Sequence, residues 1–232
     1  AYYTAGCGSD RPADPFQALS LLPPVTGLMR DMTQIRFEYP HWQPEKCTAC
    51  GKCYTVCPDS ALPGLVVKPG DLLATLVRRI ETGGTPTVHL RRVSRKLETL
   101  LHDACDKGGC DTHIGTALES AIAQLLADMP ASDSRPGLER ELELLRTELG
   151  NFDFAITAPY WKVREKQNPG SGGLFALTLN PATCKGCMAC ISVCKEGALS
   201  ARPQDEAAIA GLRQRWDLWR DLPNTPPEFA RI

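Results

Sequence analysis

Apolar residues recur along this chain with two different periods. Leu72, Leu73, Leu76, Val77 and Ile80 share one helical face behind Asp71, and Gly83-Gly84 supplies a stop. Leu90, Val93, Leu97, Leu100 and Leu101 form a second stripe. A third runs through Ile114, Ala117, Leu118, Ala121, Ile122 and Leu125, capped by Asp111 or Thr112 and closed by Pro130. The fourth has Leu138, Leu142, Leu145 and Leu149, with Pro136 near its start and Gly150 just past its end. Four amphipathic helices of this kind predict a small bundle.

The flanking segments follow a shorter period. Ile35 to Tyr39 and Leu174 to Leu179 alternate as strands do, Leu65-Val66-Val67 is a short strand, and Ala198 to Ala201 is a candidate exit strand. Phe152 to Thr157 predicts one more strand, and residues 168–173, Asn-Pro-Gly-Ser-Gly-Gly, a flexible return. Pro12, Pro15, Pro23 and Pro24 make residues 1–34 an extended lead-in. Near the other end Ile209, Leu212, Trp216 and Trp219 line a helix that Pro223, Pro226 and Pro227 terminate. That stripe either packs on the neighbouring strands or docks another domain, since tryptophans are common interface anchors.

The chemistry lies in the cysteines. Cys47, Cys50, Cys53 and Cys57 stand at intervals of x2, x2 and x3 before Pro58, and Cys184, Cys187, Cys190 and Cys194 repeat those intervals. Three thiolates at this spacing grip three corners of a cubane 4Fe-4S cluster, and the fourth reaches the other cluster. Cys47, Cys50, Cys53 and Cys194 are therefore expected on one cluster, and Cys184, Cys187, Cys190 and Cys57 on the second. Zinc ribbons use paired Cys-x2-Cys units and have no use for a third cysteine at this interval. Small residues within the ladders, Ala49, Gly51, Gly186 and Ala189, let the backbone approach the sulfides. Lys195 follows the second ladder where Pro58 follows the first. A lysine charge about 7 Å from a cluster, at an effective dielectric near 20, favours reduction by roughly 2 kcal/mol, on the order of 100 mV before solvent screening.

Three of the 11 cysteines stand outside the ladders. His102, Cys105, Cys110 and His113 are spaced x2, x4 and x2 around a glycine-containing turn, a set that could hold zinc or simply close two helices with buried thiols and surface imidazoles. Cys7 reads as structural or as a free thiol, with contact to a neighbouring domain as the further alternative. No phosphate-binding glycine loop, Walker loop or His-Glu-x2-His helix is visible, and no catalytic residue is assigned.

Composition narrows the classes further. At 232 residues and 43% hydrophobic, the chain can bury one substantial core or two small ones. With 26 basic against 27 acidic residues it lacks the footprint of a nucleic-acid binder. No apolar run suits a membrane span and no leader pattern opens the chain, so it reads as soluble and cytoplasmic, a reducing compartment that suits cluster assembly. It begins on Ala1, as an internal piece of a longer polypeptide would, or a chain that has lost its initiator methionine.

The run from Tyr39 through Pro40, Trp42 and Pro44 into Cys47, Cys50 and Cys53 resembles the ferredoxin-like domain of pyruvate:ferredoxin oxidoreductases and related 2-oxoacid:acceptor oxidoreductases. Asn180-Pro181-Ala182-Thr183 ahead of Cys184, and the tail of Trp216, Trp219, Leu222 and Pro223, are similar to the same family, so the resemblance covers about half the chain at its two ends. It implies an α+β, bacterial two-cluster ferredoxin-like fold, from which the chain departs at Lys195 and in a long, mostly helical insertion between the cluster motifs, which the 126 intervening residues and their four stripes predict. The expected organisation is a lead-in at 1–34, a first ferredoxin half at 35–68, the insertion at 69–173, a second half at 174–204 and a docking helix and tail at 205–232. The resemblance further implies a non-catalytic electron relay. Thiamine diphosphate, coenzyme A and magnesium would lie on partner domains or subunits, and ferredoxin, flavodoxin or a similar protein would accept the electrons. A ferredoxin-type subunit of a hydrogenase or formate dehydrogenase, and an interaction module stabilised by its clusters, are the alternatives.

Overall fold

The computed structural model describes residues 4–7, 10, 16, 19, 30–109, 113–129 and 134–230. After a 3-10 turn at Thr33–Ile35 the chain forms β1 (Glu38–Trp42), α1 (Lys52–Val56) and β2 (Gly64–Val67). Four longer helices follow: α2 (Pro69–Thr82), α3 (Val88–Gly108), α4 (Ile114–Ala127) and α5 (Arg135–Leu149). A π-helical turn at Ala158–Lys162 runs into α6 (Val163–Gln167), and β3 (Leu174–Leu177), α7 (Ala189–Ser192), β4 (Leu199–Pro203) and α8 (Glu206–Asp221) complete the order. The protein is mixed α/β and mostly helical.

The strands pair across the sequence. β1 lies antiparallel to β4, with Pro40 opposite Ala201, and β2 lies antiparallel to β3, with Val66 opposite Phe175. Each pair joins one strand from the first half of the chain to one from the second, and α1 packs on α7. Pro40 is tolerated because a two-stranded sheet has only edge strands.

β2 and β3 are apolar at nearly every position because both faces of their sheet are covered. Leu65, Val67, Leu174 and Ala176 belong to the core of the four long helices, whereas Val66, Phe175 and Leu177 turn to a second core around the ladders. The stripes predicted for α2 to α5 are the residues that meet in the first core, Leu76, Leu97, Leu125 and Leu142 among them. α8 joins the two: Leu212 packs on the ladder side and Leu218, with Leu222 just past the helix end, on the helical side, and Trp216 stacks on Trp219 at 5.0 Å.

Three expectations are corrected. The strand begins at Glu38, not Ile35, and Ile35 and Phe37 are exposed because Arg36 between them turns inward. Residues 152–157 form no strand beyond a single bridge, Ala155 with Phe175, although Phe152, Phe154 and Ile156 are buried on one side and Ala155 on the other. The glycine-rich return is tied down: the Glu165 carboxylate accepts from the amides of Gly170 and Gly172 and binds His102 Nε2 at 3.0 Å. The predicted α4 cap at Asp111 or Thr112 and the stop at Pro130 lie outside the described residues. The Asp153 carboxylate accepts from the Ile114 amide at the start of α4.

Candidate iron–sulfur sites

Each ladder is a loop whose backbone turns left-handed at the same two places. Ala49 and Gly186 each follow the first cysteine by two residues, with φ of 56° and 70°, and Gly51 and Met188 follow the second cysteine, with φ of 76° and 59°. In each ladder one of the two positions is glycine and the other carries a side chain, which costs about 1 to 2 kcal/mol of local strain. Left-handed residues recurring in a short loop are the backbone pattern of amide nests, which suit an anion such as a sulfide-bearing cluster. The Gly186 amide already donates to Cys184 Sγ at 3.4 Å and the Ala61 amide to Cys57 Sγ at 3.2 Å.

The eight cysteines divide between two cavities. One is lined by Cys47, Cys50, Cys53 and Cys194, the other by Cys57, Cys184, Cys187 and Cys190. Three cysteines of each set come from one ladder and the fourth from the opposite ladder. The crossed strand pairing and the α1–α7 contact bring that fourth residue over. Among the described residues no three His, Cys, Asp or Glu side chains close on one metal ion. The thiols instead stand around a space, as the separate corners of a polynuclear cluster require.

Cys50 and Cys187, the second cysteine of each ladder, are exposed, while Cys184 and Cys190 are buried. Burial, with Cys47 nearby, pushes the Cys53 thiol up to about 11, and burial with Cys184 nearby pushes Cys190 up to about 12. Burial likewise raises Cys47 and Cys184. Ionising such thiols takes a strong local positive charge, which iron provides, and binding releases their protons. The donor set, the nests and the thiol–amide bonds therefore fit 4Fe-4S clusters.

The charged surroundings of the two cavities differ. Lys52, Lys195 and Glu196 line the first. Beside the second, Lys185 pairs with the buried Asp59 at 2.8 Å, tying the two ladders together. Arg36 is 5% exposed and donates from Nη1 to the carbonyls of Pro181 and Cys184, while its Nε and Nη2 have no partner. Arg36 escaped the sequence reading because an arginine within an alternating apolar stretch looks like the solvent side of a strand.

The three described members of the four-residue set at the α3–α4 junction have separate partners. His102 stacks on Trp161 and binds Glu165, and His113 pairs with Asp153. Cys105 is fully buried in the helical core, its thiol pushed up to about 12 by burial. Cys110 lies outside the described residues. Cys7 is exposed, its thiol donating to the Ala5 carbonyl at 3.4 Å.

Residues 39–62 match a family model described as a 4Fe-4S binding domain, and residues 177–200 match a second model of the same description. The first match holds the complete first ladder and most of β1, and the second the complete second ladder with the last residue of β3 and the start of β4. No curated protein and no solved structure matches the chain. The chain thus carries two 4Fe-4S binding domains. No helix among the described residues is long and apolar enough to cross a membrane.

Proposed function

We propose that the protein is a two-cluster electron relay with a ferredoxin-like core, in which Cys47, Cys50, Cys53 and Cys194 hold one cluster and Cys184, Cys187, Cys190 and Cys57 the other. The observation that carries this reading is the crossed division of the eight cysteines around two cavities. When bound, 4Fe-4S clusters supply one-electron transfer. The chain's own part is to hold the thiolates apart at fixed corners and aim amides at them. Trp42, Phe175 and Leu177 cover the first site with apolar surface, and Arg36 and Lys195 set charge beside the two sites. Exposure of Cys50 and Cys187 leaves each site an open side where a redox partner can approach.

The finer reading is an electron-transfer domain or subunit of a cytoplasmic 2-oxoacid:acceptor oxidoreductase. It would take electrons from thiamine diphosphate chemistry on partner domains and pass them to a ferredoxin or flavodoxin. It is supported by the Pro40, Trp42 and Pro44 lead into the first ladder and by the Trp216–Trp219 tail.

The test is an iron, acid-labile sulfide and zinc count on anaerobically purified protein, with electron paramagnetic resonance after dithionite reduction. About eight irons and eight sulfides with interacting reduced signals are expected. Zinc without sulfide would overturn the relay. Copurification of a thiamine-containing partner separates the 2-oxoacid complex from other redox complexes.

A further inference from the structure

A cleft of about 270 Å³ opens between the two cysteine cavities, the start of α4 and one side of α8. That volume is near the lower limit of small-molecule pockets. Trp42 and Leu177 line both this cleft and the cavity of Cys47, Cys50, Cys53 and Cys194. Pro40, Leu62 and Leu179 line both the cleft and the cavity of Cys57, Cys184, Cys187 and Cys190. A molecule seated here would stand one layer of side chains from either set of thiols.

The cleft gathers basic side chains from three elements. Arg202 on β4, Arg215 on α8 and His41 on β1 all line it. Neither guanidinium is hydrogen-bonded or ion-paired within the described residues. Arg215 is half-buried, and burial lowers its guanidinium from the usual value, with Tyr39 acting weakly the other way. Burial lowers His41 too, and Arg202 and Arg215 add to that by their charge while Glu45 acts the other way, which puts His41 within electrostatic reach of both guanidiniums. Two acidic side chains line the cleft, Glu45 and Asp153. Asp153 is taken up by His113 and by the amides of Ile114 and Phe154. Glu45 forms no ion pair with either arginine among the described residues. A partly buried guanidinium such as that of Arg215 is costly without an ion pair, and with the exposed Arg202 beside the same cavity it offers donors suited to an oxyanion.

We propose that this cleft binds a small carboxylate or phosphate, clamped by Arg202 and Arg215 with His41 alongside. The proposal does not depend on the relay reading, because it concerns binding alone.

The experiment is isothermal titration calorimetry of the anaerobically purified, cluster-loaded protein with inorganic phosphate and, separately, succinate, at constant ionic strength set with chloride. Saturable binding at one site per chain is expected for at least one probe. It should weaken tenfold or more in Arg202→Gln, an exposed strand position at which the fold is not at stake, and in Arg215→Gln. Arg215→Lys, which keeps the charge but loses the guanidinium donors, should fall in between. Phosphate alone, succinate alone, or both identify the ligand as a phosphoryl compound, a carboxylate, or an oxyanion of either kind. Binding of neither probe overturns the proposal, as does binding that Arg202→Gln and Arg215→Gln both leave unchanged.

Discussion

The guanidinium of Arg36 lies against the backbone of Cys184, donating to its carbonyl oxygen at 2.9 Å from a position shielded from solvent. A cation held there stabilises the more electron-rich state of a cluster on Cys184. A unit charge about 8 Å away at an effective dielectric near 20 is worth about 2 kcal/mol, roughly 90 mV for one electron. Arg36→Gln is therefore expected to lower the potential of that cluster by about 50 to 100 mV, and Arg36→Lys to retain most of it. A spectroelectrochemical titration reads the shift, and equal potentials in wild type and the Gln variant would remove Arg36 from the tuning of the site.

Lys195 makes the complementary case, since it lines the first cavity but is exposed. Its influence passes through water, so Lys195→Pro should lower the potential of the first cluster by no more than a few tens of mV at low salt. That shift should fade toward zero in about 1 M salt, where the Debye length is near 3 Å. The Arg36 effect should persist there. Titrations of both variants at two ionic strengths check the contrast, and a Lys195 shift indifferent to salt would contradict the assignment of its charge to the solvent side.

The crossed division of the cysteines gives a test in which sequence neighbours and spatial neighbours predict opposite outcomes. Cys57 follows Cys53 in the first ladder but lines the cavity of Cys184, Cys187 and Cys190. Cys57→Ala should convert or empty the second site and leave the cluster on Cys47, Cys50, Cys53 and Cys194 intact. Pairing the variant with Cys194→Ala, which should do the reverse, lets paramagnetic resonance assign each signal. Loss of the same signal from both variants would refute the crossed arrangement.

The ladders and the four helical stripes were legible because each depends on local spacing. Cysteine intervals and a 3.6-residue period survive without knowledge of the tertiary partner. What depended on a distant partner was hidden. Phe152, Phe154 and Ile156 alternate with Ala155 as a strand would, yet only Ala155 meets Phe175, because the segment merely grazes the outer edge of β3. The glycine-rich return reads as loose until Glu165, set by the neighbouring α6, gathers its amides. The π-helical turn leaves no periodic trace, and it is held by Trp161, which stacks on His102 and donates to Asp106 at 3.2 Å. The basic cleft escapes a linear reading entirely, since His41, Arg202 and Arg215 come from three elements.

A buried carboxylate provides a stability test away from the clusters. Glu141 on α5 is 7% exposed and accepts from the backbone amides of His89 and Leu90, at 3.2 and 2.6 Å, at the beginning of α3. The carboxylate satisfies two amides that the helix cannot pair and faces the positive end of its dipole. Glu141→Ala should cost about 2 to 3 kcal/mol, and Glu141→Gln about 1 kcal/mol, because the amide keeps an acceptor but loses the charge. Denaturant unfolding of the cluster-loaded protein measures both, and a Gln variant as costly as the Ala variant would assign the effect to packing instead.

The His113–Asp153 pair yields a prediction with a definite pH dependence. The hydrogen bond from the imidazole to the Asp153 carboxylate raises the His113 pKa above its ordinary value, with burial opposing the rise. A raised folded-state pKa means that the pair's stabilisation is fully present below the unfolded value of about 6.5 and disappears as pH climbs through the folded value. Asp153 also accepts from the Ile114 and Phe154 amides, and those bonds do not follow the imidazole. Asp153→Asn should therefore destabilise the protein at both pH 6 and pH 9, through the lost charge at the start of α4, with a further loss at pH 6 alone. His113→Ala should show only the loss at pH 6, and a small one, because the imidazole is half exposed and solvent screens the pair. Urea midpoints of the three proteins across that range separate the two contributions. A His113→Ala deficit that is larger at pH 9 than at pH 6 would reverse the sign and exclude a charged imidazole from the pair.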